Sequence, residues 1–268
     1  MRVICPICKH ELIHIDRRYA CKNGHSFDQA KQGYTNLLVG HSQKEHGDAK
    51  DMLAARLHIQ EKNYYQEVAE QLVDIIKDLP VQQAIDIGCG VGYYTNYMRE
   101  VLSLDMIGID ISKEALKIAS RKGPLVDYFV ASAKDLPIAE DTVDLIVSVF
   151  SPVYLEEVRR ILKQGKFLLV VSPNPGHLME LKKVIYDEII AKEEERNYIV
   201  EEDFTLLKEV NICEKKQFFE EDLKHLFLMT PHYWTSSISG KKRLASLKKL
   251  NITLDMNIRL YRFGGKHG

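Results

Sequence analysis

The run Ala84-Ile85-Asp86-Ile87-Gly88-Cys89-Gly90-Val91-Gly92 decides the fold. Ala84–Ile87 reads as a short apolar strand, and Tyr93–Leu102 behind the glycines reads as a helix. Glycines at 88, 90 and 92 let the chain turn sharply and approach a ligand with no Cβ in the way. Such a turn between strand and helix is the setting of a nucleotide-binding loop. The spacing is G-x-G-x-G, not the G-x-G-x-x-G of a pyrophosphate site, and an acid, Asp86, leads it. Asp110 follows twenty residues after Gly90, at the end of the strand Met106–Ile109. A carboxylate there can accept both hydroxyls of a ribose.

Beyond this run, strands and helices alternate. Lys113–Arg121 is a helix with Ser112 as its N-cap, Asp127–Val130 a strand, and Val143–Val149 another. Tyr154–Leu162 is a helix, Phe167–Val171 a strand and Leu178–Ala191 a further helix. This rhythm predicts an α/β, Rossmann-like domain with a mostly parallel sheet. Upstream, Asp51–Lys77 carries a helical pattern broken near Lys62–Asn63. The weaker pattern after Ala191 predicts helices and late strands that finish the sheet. Three segments follow: a small module over 1–36, a polar linker over 37–50, and the large domain over 51–268.

The small module holds Cys5, Cys8, Cys21 and His25 in a C-x2-C-x12-C-x3-H spacing. Two ligands with two residues between them sit on one tight turn, so a single knuckle can supply half of a zinc tetrahedron. Pro6 stiffens the first knuckle and Gly24 lets the second one turn, while Glu11–Ala20 can form a hairpin between them. A segment this short has little core of its own, so a metal supplies the missing stability. Four protein ligands close the site, which predicts structural rather than catalytic zinc. Unrelated buried thiols and a surface histidine are the competing reading. His10 and His14 read as surface residues, Cys89 as packing within the glycine loop.

Composition is that of a globular chain, 45% hydrophobic and 28% charged, with net charge −1. The charge is uneven. Residues 1–50 hold eight Lys/Arg against five Asp/Glu, and 240–268 hold eight against one. Two basic ends suit a polyanion such as nucleic acid, or simply a solvated surface. No apolar run approaches the ~20 residues of a membrane helix, and no secretory leader is read at the start. The expected location is the cytoplasm.

The glycine loop and Asp110 together resemble the class I S-adenosylmethionine-dependent methyltransferases. The resemblance implies that Gly88, Gly90 and Gly92 flank the methionine part of S-adenosylmethionine, that Asp110 holds the ribose, and that Ala133 lies near the adenine. Ser132 stands where many members carry an Asp, and Leu162-Lys-Gln-Gly-Lys166 where Pro-Gly-Gly is commoner. Across nearly the whole chain the sequence is similar to the bacterial family that methylates guanine N1 in a hairpin loop of large-subunit (23S) ribosomal RNA. The matching runs are the cysteine–histidine set, His25-Ser-Phe-Asp-Gln-Ala-Lys-Gln-Gly-Tyr-Thr-Asn-Leu-Leu38, Gly47-Asp48, Ala55-Arg56, Asp86–Thr95, Ser172–Lys182 and Met229–Trp234. This resemblance implies that Tyr65 and His177 join the loop around the cofactor, with Tyr93, Tyr94 and Ile111. It also implies that the zinc module grips RNA, and that two copies assemble. Phe150-Ser151-Pro152 stands where that family has a related turn ending in proline, and its role stays open.

The expected activity is therefore methyl transfer from S-adenosylmethionine to guanine N1 of large-subunit ribosomal RNA. Tyr34, Tyr154, Tyr233 and Trp234 are available for base stacking. Asp28, Asp135 and His177 are the candidate bases, and no one of them stands out, so the catalytic residue is unassigned. Two alternatives stay open. One is a small-molecule methyltransferase whose ribbon closes a lid. The other is a non-catalytic RNA-binding protein that retains S-adenosylmethionine.

Overall fold

A computed structural model of the chain describes residues 1–40, 50–189, 199 and 202–264. Most of the expected linker, including Gly47-Asp48, lies outside the described residues, as do the acidic run Glu193–Glu195 and the last four residues. The first three strands, β1 (Ile13–Ile15), β2 (Arg18–Ala20) and β3 (Ser26–Asp28), form a small antiparallel sheet in that order. The expected hairpin is its first half, with Ile13 facing Ala20 and Ile15 facing Arg18.

The large sheet has eight strands. They are β4 (Tyr34–Asn36), β5 (Gln83–Ile87), β6 (Asp105–Asp110), β7 (Asp127–Val130), β8 (Val143–Val149), β9 (Leu162–Pro173), β10 (Phe204–Phe219) and β11 (Lys249–Phe263). Their spatial order is β10-β11-β9-β8-β5-β6-β7-β4. Every pairing from β9 to β4 is parallel, and the two pairings made by β11 are antiparallel. The sheet is thus mostly parallel, as the alternating pattern predicts. β8 is buried at all seven positions, because both of its faces are covered. Chain order reverses at β5, with β6 on one side and β8 on the other. This is the switch point outside which α/β sheets bind ligands.

Two helices stand between β4 and β5, α1 (Lys50–Glu61) and α2 (Gln66–Ile76), broken as expected around Lys62–Asn63. Then come α3 (Tyr93–Leu102), α4 (Lys113–Lys122), α5 (Leu155–Ile161), α6 (Met179–Ile185), α7 (Glu220–Leu228), α8 (His232–Thr235) and α9 (Ile238–Ala245). Ser112 caps α4 by accepting from the Ala115 N–H at 3.2 Å. α2 buries Val68, Ala69, Leu72, Ile75 and Ile76, one apolar stripe at helical spacing. That stripe packs into one core with Met98 of α3, Leu116 of α4, Leu181 of α6 and Leu226 of α7. The opposite core combines Val158 and Ile161 of α5 with Val3, Leu12 and Tyr19 of the small module. The module therefore shares one face of the sheet with α5. Val3 bridges to Ile138, the Ile4 N–H donates to Pro137 O at 2.9 Å, and Tyr19 meets Phe129 edge-on at 5.1 Å.

The expected helix over Leu178–Ala191 is shorter. It ends at Ile185, and Tyr186 is already extended. A neighbouring helix ends it. Gly240 of α9 lies so close to the Ile185 carbonyl that a Cβ there would overlap it, and Arg243 Nε donates to Val184 O at 2.8 Å.

Candidate functional site: a glycine cradle and a cysteine–histidine centre

The backbone leaves β5 through three left-handed glycines, with φ of +73° at Gly88, +55° at Gly90 and +77° at Gly92. Only glycine adopts this conformation cheaply. The N–H groups of Gly88 and Cys89 both donate to Ile109 O, at 2.8 and 3.1 Å, which ties the loop to β6. Asp110 braces it further. One carboxylate oxygen accepts from the Gly90 N–H at 2.8 Å, the other from the Ser112 N–H at 2.7 Å. Carboxylates offer about four acceptor sites, so bracing the loop is compatible with accepting hydroxyls.

Asp86 is buried, and Thr95 Oγ1 of α3 donates to its Oδ2 at 2.5 Å. Burial pushes its carboxyl up to about 7, only partly opposed by Thr95. The leading acid of the motif thus fastens the strand to the helix from inside the fold. Cys89 sits in the same interior, and burial pushes its thiol well up. This suits packing and not nucleophilic attack.

Around the mouth stand aromatic and imidazole rings. Tyr65 is buried, 6.0 Å edge-on from Phe150 and 6.2 Å from His177. Phe150 stacks toward His177 at 6.2 Å, is 42% exposed, and has φ of +54°. A left-handed phenylalanine is uncommon and costs backbone strain that the surrounding structure must offset. His177 accepts the Asp255 N–H at Nδ1, 3.1 Å away. The neutral ring then carries its proton on Nε2, which faces Tyr65 Oη at 3.4 Å. Ala133 and Ile111 lie half-buried after β7 and β6. Tyr94 is buried near Tyr65, whereas the Tyr93 hydroxyl is turned to Gln66 Oε1 at 2.9 Å. The sequence named Phe150 only within a turn of open role and Arg56 only within a matched run, and did not single out Asp255. A Cβ at Gly90 would lie 3.3 Å from Arg56 Nη1, so α1 reaches the loop.

Burial first, then nearby Lys182, holds His177 down at about 4. It is expected to stay neutral at working pH. Between about 6.5 and about 4 the unfolded chain takes up a proton that the folded chain refuses. Stability is therefore lost as pH falls through that window. We expect His177→Gln to remove on the order of 1–3 kcal/mol of this pH dependence, after discounting for partial exposure. Urea midpoints of both proteins at pH 7 and pH 4.5 check it, and equal slopes would refute it.

At the other centre, Cys5, Cys8, Cys21 and His25 bring one ligand atom each within 4.8 Å of the others. Cys5 Sγ lies 3.6 Å from His25 Nδ1, Cys8 Sγ 3.6 Å from Cys21 Sγ, and Cys21 Sγ 3.5 Å from His25 Nδ1. A tetrahedron with zinc–sulfur bonds of about 2.3 Å has edges of about 3.5–3.8 Å, so this donor set fits zinc. The first knuckle turns through Lys9 at φ +57°, with its N–H on Cys5 O at 2.8 Å. The second turns through Gly24 at φ +84°, with its N–H on Cys21 O at 3.0 Å. The Cys8 thiol is drawn down to about 5, chiefly by the backbone of His10, which favours the thiolate a metal needs.

Comparison with known proteins now bears on both centres. A family model described as "RlmA, N-terminal", a zinc ribbon, matches residues 3–44, and a "Methyltransferase domain" model matches residues 85–170. A 23S rRNA (guanine(748)-N(1))-methyltransferase of Streptomyces fradiae is 36% identical over 183 residues, covering 66% of this chain and 65% of that one. A Micromonospora griseorubida protein, named provisionally as a 23S rRNA (guanine-N(1)-)-methyltransferase, is 32% identical and covers 66% of this chain and 67% of that one. The chain belongs to this methyltransferase family. A Bacillus subtilis relative with the same provisional naming is 25% identical over 95% of this chain and 94% of its own. The match to the Streptomyces relative spans slightly under two thirds of that protein's length. The family is S-adenosylmethionine-dependent and carries a zinc ribbon, in accord with the glycine cradle and the cysteine–histidine centre. Among the described residues, no helix is long and apolar enough to cross a membrane.

Proposed function

We propose that this protein methylates N1 of a guanine in a hairpin loop of large-subunit ribosomal RNA, with S-adenosylmethionine as donor. The observation that carries the reading is the fusion of two centres on one sheet. The ribbon is bridged to Ile138, five residues beyond Ala133 in the chain. A substrate gripped by the ribbon is thereby held at a fixed distance from the methyl-transfer loop.

Gly88, Gly90 and Gly92 would bind the methionine part, aided by the N-terminal N–H groups of α3 at Tyr93 and Tyr94. Asp110 would hold the ribose, and Ile111 and Ala133 would flank the adenine. When bound, the cofactor supplies a methyl group already activated on a sulfonium sulfur. The chain must align the acceptor nitrogen with it and exclude water. Tyr65, Phe150 and His177 form the wall suited to that task, with Phe150 as the exposed face for a splayed base. His177 presents a donor at Nε2, so it orients and does not remove the N1 proton. Asp135 is mostly exposed and paired with Lys9 at 2.8 Å, and Asp28 lies exposed on β3, so neither is assigned as base. Tyr34 is buried, whereas Trp234 is 63% exposed beside Tyr233, whose ring carries Lys241 Nζ at 4.4 Å. A cation and exposed rings suit single-stranded RNA.

Two experiments test this reading. Asp110→Ala should weaken cofactor binding by about 1–3 kcal/mol, the cost of lost polar partners. Equilibrium dialysis checks it, and unchanged affinity would refute the assignment. Large-subunit ribosomal RNA should accept methyl groups from the wild-type protein in preference to small-subunit RNA and transfer RNA. Equal labelling of all three would count against the proposed substrate.

A further inference from the structure

α1 and α7 pack side by side, and their contact holds a second cluster of metal-ligand residues. His58 lies in the last turn of α1, and Glu221 and His225 lie one turn apart on α7. A spacing of four residues puts the latter two on one helix face. One ligand atom from each of the three lies within 4.8 Å of the others. The His58 and His225 rings stack with centroids 4.1 Å apart. Nothing in the methyl-transfer reading uses them.

Two details go beyond proximity. His58 Nε2 lies 2.7 Å from Asp222 Oδ1, and Asp222 Oδ2 accepts from Tyr64 Oη at 2.8 Å. The carboxylate fixes the proton of His58 on Nε2 and leaves the lone pair on Nδ1. That is the outer-shell arrangement that orients metal-binding histidines. His225 Nδ1 is buried and has no hydrogen-bond partner. Such orphaned groups are rare in folded proteins and call for an unseen partner.

We propose that His58, Glu221 and His225 form a second metal site, for a divalent transition ion of the zinc class. Two imidazoles and one carboxylate are a borderline donor set that suits zinc, cobalt or nickel better than magnesium or calcium. Three protein ligands leave the remaining positions to water, and exposed Glu221 gives an entry path from solvent. Binding of one ion by both histidines requires the His225 ring to leave its stack on His58 by turning about its Cβ–Cγ bond. The ion staples α1 to α7. Since α1 also carries Arg56 to the Gly90 turn, the staple steadies the edge of the cofactor loop.

The test uses the full chain with its cysteine centre loaded with zinc. Cobalt is titrated, and bound metal and thermal midpoint are read. The wild type should take up a second equivalent, removable by EDTA under conditions that leave the first in place, and its Tm should rise with uptake. H225Q and E221Q should bind that second equivalent at least tenfold more weakly, lose the Tm rise, and keep the first equivalent. Glu221 is exposed, so E221Q keeps the fold and the test stays decisive if H225Q is unstable. A wild type that binds one equivalent only, or a second equivalent that survives both substitutions, would overturn the proposal.

Discussion

Cys5→Ser is expected to release zinc and unfold the N-terminal module while the large sheet persists. Serine is a poor replacement for a thiolate, and the module depends on the metal more than on its own core. Structural zinc in small fingers is worth an apparent ~10–16 kcal/mol, which is then folding free energy. The three short strands of the ribbon bury only Tyr19 fully, so little else holds them. The loss will not be silent in the main domain, because Val3, Leu12 and Tyr19 cover one face of the sheet with Phe129 and Ile138. After an EDTA wash that leaves one zinc equivalent on the wild type, the variant should hold none, and brief proteolysis should cut it first within residues 1–36. A variant that keeps its zinc and resists cleavage would contradict the ligand assignment.

The second large effect is expected at Gly92. Its φ is +77°, and a Cβ there would stand 2.7 Å from Tyr128 Oη and 2.8 Å from the Ala119 Cβ. Gly92→Ala therefore combines left-handed strain of about 1–2 kcal/mol with overpacking of about 1–3 kcal/mol. The sum is roughly 2–5 kcal/mol, or a Tm lowered by roughly 5–15 °C for a domain of this size. Tyr128 also donates to Asn96 Oδ1 at 2.5 Å, so relief of the clash displaces α3 from the sheet. Thermal unfolding with and without S-adenosylmethionine checks this. An unchanged midpoint would mean that the turn is less constrained than its geometry shows.

Much of this fold was legible in the chain because its signals are local. The strand–glycine–helix run, the alternation around it and the C-x2-C-x12-C-x3-H spacing each depend on neighbouring residues. What escaped depends on distant ones. The end of α6 is set by Gly240 and Arg243, more than fifty residues away. The long strand β10 is masked by charge. Its sequence Lys208-Glu-Val-Asn-Ile-Cys-Glu-Lys-Lys216 faces solvent on one side and pairs with β11 along the other edge. At the site, Phe150 sits in a turn whose left-handed backbone no propensity scale anticipates. His177 could be suspected from resemblance. That its Nδ1 is engaged by the Asp255 N–H, and that it therefore donates at Nε2, required the fold to bring β11 beside it. The packing of the ribbon on the sheet beside α5 was likewise visible only in three dimensions.

Cofactor, substrate and chemistry meet in one measurement. Unmodified large-subunit ribosomal RNA is incubated with the protein and S-adenosylmethionine labelled in its methyl group, then digested to nucleosides and separately mapped. Methylation of guanine N1 by this protein requires label in N1-methylguanosine at one position within a hairpin loop. RNA that stays unlabelled while the protein binds S-adenosylmethionine tightly would contradict it.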